Sequence, residues 1–112
     1  MLVEKLKEVY AVLDRGWTRG AYARDKKGRV IDPKDDRVVE CCLSGAVRRV
    51  CTSTTEIEML SSALNEEIGK IASGYGIVWW NDCHDRTKEE VLQLVQSAID
   101  ACQSSEKKIT DV

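Results

Sequence analysis

The sequence contains no phenylalanine, a single proline and a single histidine among its 112 residues. Without Phe, a hydrophobic core must be built from aliphatic side chains, with the three tryptophans and three tyrosines as its largest members. The longest uncharged stretch, residues 71–81, is short and rich in glycine, so we expect no association with a membrane. The histidine, His84, directly follows Cys83, and adjacent side chains on a turning backbone point apart, so we expect no catalytic Cys–His pair there.

The chain also lacks an excess of positive charge. Its 17 basic and 19 acidic residues give a net charge of −2, which argues against a dedicated nucleic-acid-binding protein. One group of basic residues lies close together in the sequence, and we interpret it as a solvated loop rather than a binding patch: Arg15, Arg19, Arg24, Lys26, Lys27 and Arg29. We therefore expect neither nucleic acid nor lipid among the partners.

Five cysteines are present, but none shows the paired C-x-x-C spacing of structural zinc sites or redox motifs. Their odd number, and the position of three of them on apolar helix faces, indicate free thiols, which behave as small hydrophobic side chains. Free thiols are typical of a reducing compartment, so we expect a cytoplasmic protein with no metal and no other cofactor. Residues 69–76 are rich in glycine but lack the Lys-Ser/Thr ending of a phosphate-binding loop.

The apolar pattern of the chain predicts a mainly α protein with one compact domain. Residues 1–103 form the predicted domain, and residues 104–112 form a polar, frayed C-terminal tail. Apolar side chains recur at helical spacing in four segments, which predicts a four-helix fold. The four segments cover about residues 2–13, 33–50, 54–71 and 87–102.

Residues 17–33 are the least regular part of the chain, and we call them the excursion. Within it, residues 21–24 and 29–31 flank a turn at residues 25–28 that ends in glycine. This composition is typical of a short β-hairpin, which we predict between the first and second helices. An isolated hairpin is marginally stable in water, so it must lean on the helices.

Short motifs and single residues predict where helices begin and end, and two further local features. Thr55-x-x-Glu58 and Thr87-x-x-Glu90 match capping boxes at the starts of the third and last helices. Gly16 suits the left-handed position after the first helix. The adjacent small residues Gly45 and Ala46 indicate close approach of a neighbouring backbone. The run of apolar residues at 77–80 predicts a short extended segment that packs against the core.

One group of aromatic and polar residues exceeds what a helical core requires, and it gives the candidate site. It combines two segments, the excursion and the residues from Trp79 to Arg86 before the last helix, and we expect the two to dock against each other. The candidate ligand- or partner-binding residues are Trp17, Arg19, Tyr22, Arg24, Asp25, Trp80, Asn81, Asp82 and Arg86.

Two interpretations of this candidate site stay open. In the first it is a structural latch, in which Arg24 or Arg86 pairs with Asp82, Asn81 binds backbone groups and the indoles fill the core. In the second it forms a polar, aromatic-walled pocket for a small anionic or nucleotide-like ligand, or a surface for a protein partner.

Four motifs carry a resemblance to a known family. They are Trp17-x-x-Gly20-Ala21-x-Ala23-Arg24-Asp25, Cys42-Leu43-x-Gly45-Ala46, Trp80-Asn81-Asp82 and Arg86-Thr87-x-x-Glu90-Val91. In this order they resemble a family of small bacterial and phage proteins classed as a domain of unknown function, over roughly residues 2–101. The resemblance implies that the candidate site is a family hallmark, and it implies no activity, substrate or cofactor. Cys83 and His84 lie outside that pattern.

Because no competent catalytic set is present, we expect a small non-enzymatic protein-interaction module that uses the excursion and its surroundings as contact surface. In a bacterial or phage setting it would act as a regulator or inhibitor. The alternative is a binder of a small anionic ligand, or a minor enzyme, that uses Arg24, Asp25, Asn81 and Asp82. A third hypothesis is homo-oligomerisation through an exposed helix face.

Overall fold

The computed structural model describes residues 2–72 and 76–110, and within them the chain forms five helices and one two-stranded sheet. In chain order the elements are α1 (Leu2–Arg15), β1 (Ala23–Arg24), β2 (Glu40–Cys41), α2 (Leu43–Val50), α3 (Thr54–Ile71), α4 (Ile77–Asp82) and α5 (Lys88–Thr110). The predicted mainly α fold is confirmed, but a fifth helix, α4, is added to the four that we predicted. Within the described residues, no helix is both long and apolar enough to cross a bilayer.

The core lies where α1 packs against α5, with α2 and α3 also in contact with α1. Each helix contributes apolar side chains three or four residues apart, because that spacing places them on one helix face. The buried side chains are Val3, Leu6, Val9, Val12 and Leu13 of α1, Leu43, Ala46 and Val47 of α2, Leu60, Leu64 and Ile68 of α3, and Val91, Leu94, Val95, Ala98 and Ile99 of α5.

Capping interactions define the starts of α3 and α5. The predicted box at α5 is confirmed: the Thr87 N–H donates to Glu90 Oε1 at 2.9 Å, and the Glu90 N–H donates to Thr87 Oγ1 at 3.2 Å. The box predicted at Thr55 is wrong, because α3 starts earlier. There Ser53 Oγ accepts the Glu56 N–H at 3.2 Å, so Ser53 is the N-cap residue.

The second helix also begins at a different residue. We predicted a start near Asp32, but α2 starts at Leu43. The carboxylates of Asp32 and Asp35 accept the N–H groups of the residues two positions later, at 2.7 and 2.8 Å, and so form local turns instead of a helix cap. Val39, expected on the buried helix face, is 47% exposed.

The strand β2 has a pairing segment on each side: β1 on one side and residues 16–18 on the other. β1 and β2 are antiparallel, with Ala23 opposite Cys41. On the other side of β2, the Cys41 N–H donates to Gly16 O at 3.0 Å and the Thr18 N–H donates to Cys41 O at 3.1 Å. The predicted turn at residues 25–28 is present, with Gly28 at a φ of +80°.

The placement of the hairpin needs correction. The chain after the turn pairs with β1 through an isolated bridge between Arg24 and Val30, in which the Ile31 N–H donates to Ala23 O at 3.1 Å, and it forms no named strand there. The strand partner of β1 is instead β2 (Glu40–Cys41), which lies directly before the start of α2.

Two glycines allow close contact between backbones. A Cβ atom on Gly45 would overlap the carbonyl group of Tyr22, so the close approach that we predicted at this position is confirmed. A Cβ atom on Gly16 would overlap the Val39 carbonyl oxygen. In the described residues positive φ angles occur only at Gly20 and Gly28, so Gly16 is required by this contact rather than by a left-handed backbone.

Two further expectations concern chain segments at helix ends. α3 ends at Ile71, and most of the Gly-rich segment predicted to stop it, residues 73–75, lies outside the described residues. α5 runs on to Thr110, beyond residue 103 where we predicted the domain to end.

Candidate functional site

The predicted extended segment before the last helix is wrong, because residues Ile77–Asp82 form the helix α4. Helical geometry places Ile77, Trp80 and Asn81 on one face, and all three side chains are buried. The same geometry turns Val78 and Trp79 outward, where they are 41% and 74% exposed. The polar and aromatic residues of the candidate site are therefore divided between two faces of one short helix.

The buried face of α4 binds the excursion through the side chain of Asn81. Its Oδ1 atom accepts the indole N–H of Trp17 at 2.8 Å and the backbone N–H of Leu43 at 3.0 Å. Its Nδ2 atom donates to Thr18 O at 3.2 Å and to Asp82 Oδ1 at 3.0 Å. All four hydrogen-bonding positions of a wholly buried amide are thus occupied. We call these five residues the clasp; the docking expected from the sequence is observed.

The C-terminal end of α4 extends the clasp. Arg19 Nη1 donates to the carbonyl oxygens of Cys83 and His84 at 2.9 and 2.5 Å. The Gly20 N–H donates to Asp82 Oδ1 at 3.2 Å, and Gly20 has a φ of +77°. Asp82 is exposed and pairs with backbone and amide N–H groups, which corrects the ion pair with Arg24 or Arg86 that the latch interpretation assumed.

Arg86 covers the buried indole of Trp80. Its guanidinium carbon lies 3.8 Å from the centre of a Trp80 ring, and its Nε donates to Trp80 O at 2.8 Å. Its Nη1 lies 3.3 Å from Glu90 Oε2. Arginine stacks well on an indole because its charged group is planar and weakly hydrated. Arg86 therefore stabilises the junction between α4 and α5.

Arg24 and Asp25 hold the turn of the excursion together. Arg24 donates to Thr18 Oγ1, Gly28 O and Arg19 O at 2.9–3.2 Å. Asp25 is buried, and its carboxylate accepts the N–H groups of Lys27 and Arg29 and the Arg29 Nε, at 2.8–2.9 Å. These bonds, led by the Arg29 backbone N–H, lower the pKa of Asp25.

The nine candidate residues therefore fall into four groups, of which the turn is bonded to the clasp through Arg24 and Thr18. Trp17, Arg19, Asn81 and Asp82 meet at the clasp and its edge, Trp80 pairs with Arg86, Arg24 and Asp25 form the turn, and Tyr22 lies on a surface groove. The polar atoms of Arg24 and Asp25 are engaged within the protein. This geometry gives less support to an anionic ligand at that pair.

Three of the five cysteines, Cys41, Cys42 and Cys51, are buried. Burial raises the pKa of the Cys41 thiol to about 11 and also raises the pKa of Cys42. The Cys42 sulfur accepts the Gly45 N–H at 3.2 Å and so serves as the N-cap of α2. A protonated, buried thiol is a poor nucleophile. Among residues 2–72 and 76–110, no three His, Cys, Asp or Glu side chains are grouped closely enough to hold a metal ion.

The exposed face of α4 contributes to an apolar surface that the sequence did not reveal. A groove of about 300 Å³, which we call the apolar groove, lies between α4 and the excursion. Its lining residues are Gly20, Ala21, Tyr22, Val30, Cys42, Val78 and Asp82. Tyr22 and Asp82 were among the candidates, whereas Val30 and Val78 were not, and Trp79 was left out of the nine. Recognising α4 as a helix would have placed Val78 and Trp79 opposite its buried face.

Comparison with known proteins identifies a family. The family described as Family of unknown function (DUF6197) matches residues 2–101. Neither the comparison with curated proteins nor the comparison with solved structures gives a match.

Proposed function

This chain belongs to the DUF6197 family, and we propose that it is a small non-enzymatic protein-interaction module. The observation that carries the proposal is the exposure of Trp79, which is 74% accessible beside the buried Trp80. Tryptophan is enriched among the residues that dominate binding energy at protein interfaces. The contact surface is the apolar groove together with Trp79.

The apolar side chains around this groove support the choice of surface. Tyr22, Val30 and Val78 line the groove and are 43%, 66% and 41% exposed. Single exposed apolar residues are ordinary, but several that surround one concave surface mark a site for a partner. The clasp holds the two walls of the groove, α4 and the excursion, at a fixed distance, so little order has to be gained on binding.

The charges near the groove indicate the chemistry of the partner. The Arg48 guanidinium lies 4.7 Å from the centre of the Tyr22 ring. Arg19, next to Gly20 of the groove, donates to backbone carbonyls. Neither arginine has a carboxylate partner within the described residues. We therefore assign as partner a protein segment that presents an apolar side chain next to Asp or Glu, with Asp82 as the opposing charge at one edge.

The biological setting belongs to the same proposal. Free, buried thiols such as Cys41 fit a reducing cytoplasm. A bacterial or phage origin, with the role of a regulator or inhibitor, remains the setting that we propose for the interaction.

The proposal is tested by selecting peptides from a random displayed library on the immobilised protein. We expect the selected peptides to share an apolar residue flanked by acidic residues. Trp79→Ala should weaken their binding by about tenfold or more, as for a central interface residue. The matched control is Met59→Ala on α3, which also removes a large side chain that is half exposed, at 52%. It should change the affinity by less than about twofold.

A second variant tests the assigned charge. Arg48→Gln should weaken the selected peptides and reduce the salt dependence of their binding, since one cation facing the acidic residues is lost. The proposal fails if no peptide is enriched, or if the enriched peptides bind Trp79→Ala as tightly as the unchanged protein.

A further inference from the structure

A second concave surface lies between α1, the turns after Asp32 and the end of α2. Two cavities of about 450 and 260 Å³ adjoin there, because Val12, Arg15 and Arg49 line both of them. Lys34 lines the larger cavity. We call this surface the basic groove; it shares no lining residue with the apolar groove.

Two of its cations are fixed in position by neutral groups. Lys34 Nζ donates to the carbonyl oxygens of Arg49 and Cys51 at 3.1 and 2.5 Å. Arg49 Nη1 donates to the carbonyl oxygens of Pro33 and Asp35 at 2.7 and 3.0 Å. Carbonyl groups orient these side chains without neutralising their charge, so the positive charge stays available to a ligand.

The third cation, Arg15, is without a partner among the residues that the structure describes. Arg15 makes no hydrogen bond and no ion pair within the part of the chain that the structure describes. Its guanidinium therefore offers all five N–H donors to the groove. Arg49 uses only Nη1 for its carbonyl contacts, so its Nε and Nη2 are also available in the described structure.

Two acidic residues also line the cavities and set the charge balance. Glu8 belongs to the larger cavity, and its Oε2 lies 3.8 Å from Lys5 Nζ, so that lysine offsets part of its charge. Glu40 belongs to the smaller cavity. Lys5 in turn donates to Val50 O at 2.7 Å, at the same end of α2 that Lys34 contacts. The larger cavity therefore keeps an excess of positive charge.

We propose that the basic groove binds the phosphate group of a small phosphate monoester. Arg15 and Arg49 would contact it through paired N–H groups, since the planar guanidinium matches the geometry of phosphate oxygens, and Lys34 would add a third positive charge. Ala11, Val12 and Val50 form an apolar floor for the rest of the ligand. The cavity has the size of a small-molecule site.

The test is calorimetric titration of the full chain with AMP at constant ionic strength. Arg15→Gln should weaken binding by about tenfold, because a charge-assisted bidentate contact is lost. Since the Arg15 side chain forms no bond to another described residue, this variant should keep its fold, which circular dichroism would verify. Arg15→Lys keeps the charge without the paired N–H groups, so its affinity for AMP should lie between those of the unchanged protein and Arg15→Gln.

Two controls separate site binding from general charge attraction. Lys7→Gln removes one charge from an exposed position of the same helix and should leave the affinity within about twofold. Trp79→Ala should bind AMP as the unchanged protein does, so this inference and the proposed protein interaction can fail independently.

Three results would overturn the proposal. One is the absence of saturable AMP binding, and the second is equal binding by Arg15→Gln and the unchanged protein. The third is inorganic phosphate binding as tightly as AMP, since the apolar floor would then contribute nothing.

Discussion

The two tryptophans of α4 are neighbours in sequence and opposite in environment. Trp80 is 2% exposed and Trp79 is 74% exposed. On the side of Trp80, Asn81 bonds to the excursion and to the start of α2, and Arg86 covers the indole. On the side of Trp79, the helix borders an apolar groove. The comparison teaches that one short helix can stabilise the fold with one face and leave the other face for a partner.

The comparison also explains the family motifs. Asn81 joins three of them, since it binds Trp17 of the first and Leu43 of the second from its own position in the third. Gly45 allows the excursion to cross α2 at Tyr22. Of the residues that line the apolar groove, Tyr22, Val30 and Val78 are not specified by the motifs, whereas the other four are motif residues: Gly20, Ala21, Cys42 and Asp82. The motifs therefore mark residues that build the fold and part of the groove wall, whereas the exposed apolar side chains of the groove stand at positions that the motifs do not specify.

The largest effect is expected from removing the amide at the centre of the clasp. Asn81→Leu keeps the volume but leaves the Trp17 indole N–H and the Leu43 N–H without their acceptor, which should cost about 4 kcal/mol of the free energy of unfolding. Urea unfolding followed by circular dichroism measures it. Asn65→Leu, at an exposed amide on α3, is the control and should cost less than about 0.5 kcal/mol. A loss below about 1 kcal/mol at Asn81 would contradict the clasp.

The next largest effect concerns the crossing at Gly45. Gly45→Ala places a methyl group on the Tyr22 carbonyl and should cost about 2–3 kcal/mol, because neither backbone can move without disturbing the clasp. Gly69→Ala is the matched helix substitution, since a Cβ atom there meets nothing within 4 Å. It should stabilise the protein by up to about 1 kcal/mol through higher helix propensity. Equal signs for the two substitutions in thermal unfolding would refute the close contact.

The smallest effect is expected at the exposed edge of the clasp. Asp82→Ala removes an acceptor from Gly20 and from the buried amide of Asn81. Because the Asp82 side chain is itself exposed, water can take the place of the lost carboxylate, so the cost should be below about 1 kcal/mol. A cost above about 2 kcal/mol in urea unfolding would mean that Asp82 neutralises a buried cation, as the latch interpretation assumed.

The sequence was sufficient where a pattern of residues has one clear structural explanation, whether its partner lies near it or far from it along the chain. The capping box of Thr87 and Glu90 spans one helical turn, and both hydrogen bonds form. Gly45 indicated a close contact because a glycine inside a predicted helix lowers its stability, and close approach of a neighbouring backbone explains why no larger residue stands there. We predicted the docking of α4 on the excursion because both segments are rich in aromatic and polar side chains. Such side chains can be buried at low cost only when the polar groups of one segment form hydrogen bonds with those of the other.

The sequence was insufficient where local and distant partners compete. Asp32 and Asp35 are residue types that often start a helix, but here their carboxylates accept nearby N–H groups. The helix α2 follows β2 in the chain, and β2 pairs with the distant strand β1. Arg24 and Arg86 find backbone carbonyls instead of the carboxylate of Asp82. The six residues of α4 are too few for a helical period to be recognised beside Gly76.

The most direct test of the account is to measure the free energy of unfolding of Trp79→Ala and Trp80→Ala side by side in urea. The account predicts a loss of about 3–5 kcal/mol for Trp80→Ala, since a buried indole leaves a cavity. For Trp79→Ala it predicts a loss below about 1 kcal/mol. Similar losses for the two variants would contradict the division of α4 into a buried face that holds the fold and an exposed face that is free to bind.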